Sequence, residues 1–143
     1  ALLMQAVIPK MKEKNFGRII NITSAMVKNP HLIMGLSTSA RSGLHGLSKA
    51  LSREVAQYNI TINNVLPERI DTDRQTQILN FQAKLADSTY EEAKKELEET
   101  LTAKRMGTVE EFSGICTFLC SEQAAYISGQ NISVDGGNST NLI

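Results

Sequence analysis

The 143-residue sequence has no tryptophan, only two cysteines and three prolines, and no apolar run near the roughly 18 residues that a membrane-spanning helix needs. A disulfide framework and a transmembrane helix are therefore excluded as organising features, and no basic stretch followed by an apolar one marks a secretory leader. An excess of one charge is also lacking, because 15 Lys and Arg balance 15 Asp and Glu. Nothing in that balance attracts a polyanion or an acidic surface, so neither nucleic acid nor membrane is expected as a partner. Cys116 and Cys120 lie four residues apart in the apolar run FSGICTFLC and read as two small buried thiols on one helix face. With two histidines and no cluster of Cys and His, no metal site is expected. The expected compartment is the cytoplasm.

What is present is an alternation of helical and strand patterns long enough for one core. The chain opens ALLMQAVIPKMKEKNFG inside an amphipathic helix, with no initiator Met or cap residue ahead of it, as expected for a piece of a longer chain. Gly17 reads as the stop after that helix, over residues 1–14. RIINIT is short, β-branched and apolar on both faces, the pattern of a buried strand in a parallel sheet. SAMVKNPHLIMG has no sustained period and reads as a loop at the carboxyl end of that strand, where open α/β sheets collect their sites. From Leu36 the positions Leu36, Ala40, Leu44, Leu47, Leu51 and Val55 trace a helical stripe. Ser39, Gly43, Gly46 and Ala50 form a second, small-residue stripe, which predicts close approach by a strand or another helix. NITINNVL is the next strand and PERIDTDR the loop after it. YEEAKKELEETLTAK reads as a charged helix, and the span from Asp73 to about Lys104 as a polar lid with few apolar residues to hold it down. Thr108 and Glu111 have the spacing of a capping box at the head of the last helix, and NISVDGG closes the pattern as a strand entering a Gly turn. This βαβ alternation predicts an α/β fold, a doubly wound parallel sheet covered on both faces.

GRIINITS, the long helix that follows it, INNVLPERIDT and the closing SEQAAYISGQNISVDGG together resemble the carboxyl-terminal half of a short-chain dehydrogenase/reductase. The resemblance covers essentially the whole chain and implies that residues 1–143 are the carboxyl-terminal part of a single Rossmann-like domain. It implies an NAD- or NADP-dependent oxidoreductase acting on a small carbonyl compound or secondary alcohol, in a homo-oligomer, a dimer or tetramer. No G-x-G-x-x-G loop occurs, so the chain as given should not hold a dinucleotide by itself.

In that family a Ser ends the strand and a Tyr-x-x-x-Lys pair follows on the next helix. Ser24 matches the Ser, the Tyr position falls on Ser37 and the Lys position on Arg41. Both members of the pair are thus replaced. A phenol titrates near pH 10 and a nearby cation lowers it, whereas a serine hydroxyl is a far weaker acid. Arg stays protonated and offers a planar fork in place of a compact ammonium. Ser37 has two readings: a hydroxyl that relays a proton, or a helix-start hydroxyl capping its own backbone. Arg41 either contacts cofactor or substrate, or is a surface charge. PERIDT resembles the family loop beside the nicotinamide, which implies cofactor contacts from Pro67, Ile70 and Thr72, with Glu68 adding bulk and charge where Gly is usual. Tyr90 is the candidate substitute acid among Tyr58, Tyr90 and Tyr126, while His31 and His45 read as structural or surface residues. The alternative to an enzyme with an atypical site is a non-catalytic member that serves as a ligand-binding or oligomer-forming module.

Overall fold

Runs of isoleucine and valine set between turn residues form the centre of the molecule, a three-stranded parallel sheet. The computed structural model describes residues 1–142. Its strands are β1 (Gly17–Ile22), β2 (Ile60–Pro67) and β3 (Asn131–Val134), in the order β1-β2-β3. Helix α1 (Leu2–Lys14) precedes β1, α2 (Gly35–Val55) joins β1 to β2, and α3 (Asp73–Leu85), α4 (Tyr90–Thr100) and α5 (Val109–Cys120) lie between β2 and β3.

Strand alternation sends Ile19, Ile60 and Ile62 to one face, where they pack with Met4, Ile8 and Val55 of α1 and α2. Ile20 and Val65 point to the other, against Phe112, Leu119 and Ala124. Both faces are covered, as the βαβ pattern predicts. β2 is buried along almost its whole length, but β1 is only half-buried, because β2 is its one partner among the described residues. The expectation that RIINIT is fully buried is corrected accordingly.

α1 ends at Asn15, whose φ of +50° caps the last turn through bonds to the Met11 and Lys12 carbonyls. Gly17 is not the stop. It opens β1, where a Cβ would lie 2.6 Å from Met11 Sδ.

The buried face of α2 is displaced by one residue from the leucine stripe. Thr38, His45, Ser48, Ser52 and Val55 are buried, while Leu36 is 93% exposed and Leu44 and Leu51 turn toward α1. The sheet itself is the reason. Asn21 Nδ2 donates to Ser48 Oγ (3.0 Å) and to Asn64 Oδ1 (2.9 Å), and Asn64 Nδ2 donates to Asn131 Oδ1 (2.7 Å). The register Asn21↔Asn64↔Asn131 makes this a ladder of three amides across the strands, and Ser48 is the hydroxyl that α2 offers to it. Ser39, Gly43, Gly46 and Ala50 are exposed, and a Cβ on either glycine would meet nothing within 4 Å. Close approach by another element of the described chain is therefore not what the small stripe serves.

The lid expectation is corrected in two ways. Thr72 caps α3, a helix the polar sequence hid, with its Oγ1 accepting from Gln75 N–H (3.4 Å). Leu79, Leu101 and Met106 then form a small core with Tyr90, Ala93 and Leu97, so α3 and α4 pack chiefly on each other. α4 opens on a Thr89–Glu92 capping box and stops at Thr100, short of the predicted Lys104. Amides of α3 and α4 are expected to exchange with deuterium as one unit, faster than those of RIINIT and NISVDG. Equal protection in the helix pair and the strands would contradict this.

α5 opens on the predicted capping box, Thr108 with Glu111. Arg105 holds the Glu111 carboxylate in a two-pronged pair (2.8 and 2.6 Å), and the Thr108 amide donates to it as well. These bonds lower the Glu111 pKa to about 2. Cys116 is only half-buried and Cys120 is exposed, which corrects the expectation of two buried thiols; the apolar side of α5 is led by Phe112, Ile115 and Leu119.

Candidate active site

The loops that leave the carboxyl ends of β1 and β2 meet the first turn of α3. Ser24 follows β1 directly and accepts from Met26 N–H at 3.2 Å, which caps a short 3-10 turn over Ala25–Val27. The hydroxyl keeps its own proton for another acceptor. It lines a cavity of about 430 Å³ together with His31, Glu68, Arg69 and Gln75 on the polar side and Met26, Ile33, Met34 and Ile78 on the apolar side.

After β2 the chain turns sharply. Arg69 has a φ of +52°, and Arg69 C=O accepts from Gly107 N–H (3.0 Å) while Asp71 N–H donates to Gly107 C=O (2.8 Å). Gly107 lies close to Ile70, and a Cβ there would sit 2.9 Å from Ile70 Cδ1 and push that methyl aside. The bridge leaves the N–H and C=O of Ile70 itself without partners among the described residues. Pro67, Ile70 and Thr72 line a second cavity, of about 350 Å³, walled by Ile22, Val109 and Phe112. Pro67 and Arg69 line both cavities, so the two adjoin.

Of the predicted site residues, Ser24 falls on the first cavity, Ile70 and Thr72 on the second, and Pro67 on both. Ser37 and Arg41 form a pair of their own and line neither. Arg41 Nη1 donates to Ser37 Oγ and to the Ser37 carbonyl (3.3 Å). Ser37 therefore does not cap its own helix, and α2 begins without a side-chain cap. Glu68 lines the Ser24 cavity, outside the Ile70 and Thr72 cavity, and Asn138 Nδ2 holds its carboxylate at 2.9 Å. Tyr90 belongs to the small core of the helix pair, Tyr58 lies under the Lys12 ammonium, and Tyr126 is fully exposed; none lines the Ser24 cavity.

His45 is structural. Its Nε2 lies 2.9 Å from Thr23 Oγ1, and burial, with the Lys28 charge in second place, lowers its pKa and favours the neutral ring. His31, read as structural or surface, is exposed and lines the Ser24 cavity, while the buried polar residue on that wall that escaped the sequence reading is Gln75, which the polar run around it concealed. Gln75 is 8% exposed, and its Nε2 is buried without an acceptor among the described residues. The only available signal was its place three residues after Thr72, at the head of a helix.

A parallel sheet covered on both faces, with cavities at the carboxyl ends of its strands, defines this as part of a doubly wound, Rossmann-type α/β fold. The family model described as enoyl-(acyl carrier protein) reductase matches residues 1–139. The chain belongs to the short-chain dehydrogenase/reductase family. It is 38% identical over 128 residues to the NADPH-dependent reductase BacG of Bacillus subtilis, covering 90% of this chain and 49% of that protein. The 3-oxoacyl-acyl-carrier-protein reductase of Aquifex aeolicus is 35% identical over 136 residues, 95% of this chain and 50% of its own length. Among solved structures, the NADPH-dependent reductase YwfH of bacilysin biosynthesis superposes with a TM-score of 0.89 at 34% identity, over 97% of this chain and 53% of that one. The L-sorbose reductase of Gluconobacter frateurii, solved with NADPH and L-sorbose, gives 0.90 at 27% identity, over 98% of this chain and 54% of its own. The chain spans about half the length of the curated relatives it matches.

Proposed function

We propose that these residues form the carboxyl-terminal part of a single Rossmann-type domain, in a full-length protein that is an NADPH-dependent oxidoreductase of small carbonyl compounds or secondary alcohols. The observation that carries the reading is the adjoining pair of cavities, one with Ser24 on its wall and the other with Pro67, Ile70 and Thr72. NADPH is preferred over NADH in this reading because BacG, YwfH and the sorbose reductase structure are described with it.

The second cavity suits a nicotinamide. Ile22, Val109 and Phe112 offer an apolar wall, the unpaired N–H and C=O of Ile70 match a carboxamide, and the Thr72 hydroxyl adds a polar contact. When bound, such a cofactor supplies or accepts the hydride. Ser24 donates a hydrogen bond from its free O–H to the substrate oxygen and orients the carbonyl. Ser37, its oxygen held by Arg41, relays a proton from water toward that oxygen, since a serine hydroxyl cannot serve as the acid itself near neutral pH. Arg41 fixes Ser37 through its hydroxyl and carbonyl. The protein is read as a cytoplasmic homo-oligomer. Two free thiols fit a reducing compartment, and the exposed Leu2, Leu3, Leu36, Gly43 and Gly46 of α1 and α2 fit a symmetric helix interface.

A second reading, a non-catalytic ligand-binding or oligomer-forming member of the family, draws on one observation: Ser37 and Arg41 bind each other and line neither cavity. Hydride transfer by the full-length protein, measured against a carbonyl panel with NADPH and NADH, separates the two. Turnover with NADPH is expected; dinucleotide binding without turnover of any carbonyl compound would favour the second reading.

A further inference from the structure

We propose that the cavity beside Ser24 takes a substrate bearing a carboxylate in addition to its reactive carbonyl, with the acid group held by Gln75 Nε2 and the Arg69 guanidinium. This rests on the oxidoreductase reading for the carbonyl, but the acid-binding pair stands on observations of its own.

The first is the orphan amide. Buried donors in folded proteins almost always have acceptors, because an unmade bond forfeits the solvation the group had in water. Gln75 lines this cavity with its Nε2 buried and unpaired among the described residues. Gln75 lines the cavity wall, so a turn of its closed-off amide toward the cavity would let a ligand oxygen supply the missing acceptor.

The second is the charge beside it. Arg69 lines the same wall and makes no ion pair or side-chain hydrogen bond among the described residues. Its carbonyl accepts from Gly107 N–H and Asp71 N–H donates to Gly107 C=O, which fixes the turn from which the side chain starts. A guanidinium fork matches a carboxylate in geometry and in charge, whereas Gln75 Nε2 alone would donate to any carbonyl oxygen. Gln75 also sits in the first turn of α3, a 13-residue helix whose amino end favours negative charge.

The neighbouring acids do not cancel this. Glu68 faces the cavity but accepts from Asn138, and Asp71 lies 3.8 Å from the Lys94 ammonium. Asp73 is exposed in the first turn of α3 and does not line the cavity. His31, also on the wall, adds no negative charge in either protonation state. Met26, Ile33, Met34 and Ile78 leave an apolar stretch for the rest of the carbon skeleton, in a volume within the usual range of roughly 300–1,000 Å³ for small-molecule sites.

The test uses full-length protein with NADPH and three keto acids, pyruvate, levulinate and phenylpyruvate, each beside its methyl ester. For at least one pair the acid is expected to bind at least about tenfold more tightly by calorimetric titration, the order that a charge-assisted hydrogen bond supplies, and to be reduced with the lower KM. Gln75→Leu is expected to bring the acid down to the ester's level while leaving the unfolding midpoint unchanged or higher, since it removes an orphan polar group; a purely structural glutamine would lower it. Arg69→Asn provides an independent variant that tolerates the positive φ, and the same loss of discrimination is expected. Acid-selective binding that both variants abolish upholds the acid site even if no ketone is reduced, and that second outcome counts against the oxidoreductase reading alone. Equal binding of acid and ester in all three pairs, or variants that keep the wild-type preference, would overturn the proposal.

Discussion

Replacing Ser37 by Tyr and Arg41 by Lys together in the full-length protein is expected to raise carbonyl reduction at least about tenfold. The two wild-type side chains satisfy each other on the first turns of α2, and neither reaches the cavity wall that Ser24 lines. α2 packs against the 3-10 turn that Ser24 caps, so a longer side chain at position 37 extends toward that hydroxyl. A phenol carries its proton on the far side of a ring, well beyond a serine Oγ. A lysine one turn further on lowers the phenol's pKa by favouring the phenolate, which arginine's larger delocalised cation does less locally. A positioned general acid contributes roughly 10² to 10⁴ in rate, so even an imperfect graft should gain the lower part of that range. The assay is NADPH oxidation with a reducible ketone, with dinucleotide affinity measured on the same samples. If affinity is retained and the rate does not rise, position 37 is not where the family places its acid, and the wild-type proton comes from elsewhere on the Ser24 wall.

Asn64→Leu is expected to destabilise the fold by about 2 kcal/mol, the cost typical of leaving buried amide groups unpaired. Asn64 is 1% exposed in the central strand and bonds Asn21 on one side and Asn131 on the other. With leucine there, Asn21 Nδ2 keeps Ser48 Oγ but loses its second acceptor, and that hydrogen is left under α2. Converting both partners to leucine removes donor and acceptor together. The double variant Asn21→Leu with Asn64→Leu is therefore expected to lose less than the sum of the two single changes. Urea midpoints of the four proteins measure this directly. Strict additivity would mean that the ladder is not a coupled unit.

The strand and helix order, the parallel sheet covered on both faces and the capping box of α5 follow from local pattern, because each depends on a few residues adjacent in the chain. Ile19 and Ile20 must face opposite ways on any strand, and Thr108 three residues ahead of Glu111 must close a helix start wherever it packs. Resemblance placed Ser24 and the Pro67–Thr72 loop at the carboxyl edge for the same reason: strand ends are local features. Three things depended on what lies opposite in space. The burial of Ser48 on α2 depends on Asn21, which is tied to Asn64 and Asn131, residues up to 110 positions apart that only the register of the sheet brings into line. α3 and its small core arose from Leu79 meeting Leu101 and Met106, too sparse a set to show as a stripe in a polar run. The unpaired amide of Gln75 is a property of its surroundings and not of its own sequence: the residue type names a donor, and only the packed structure shows that no described residue accepts from it.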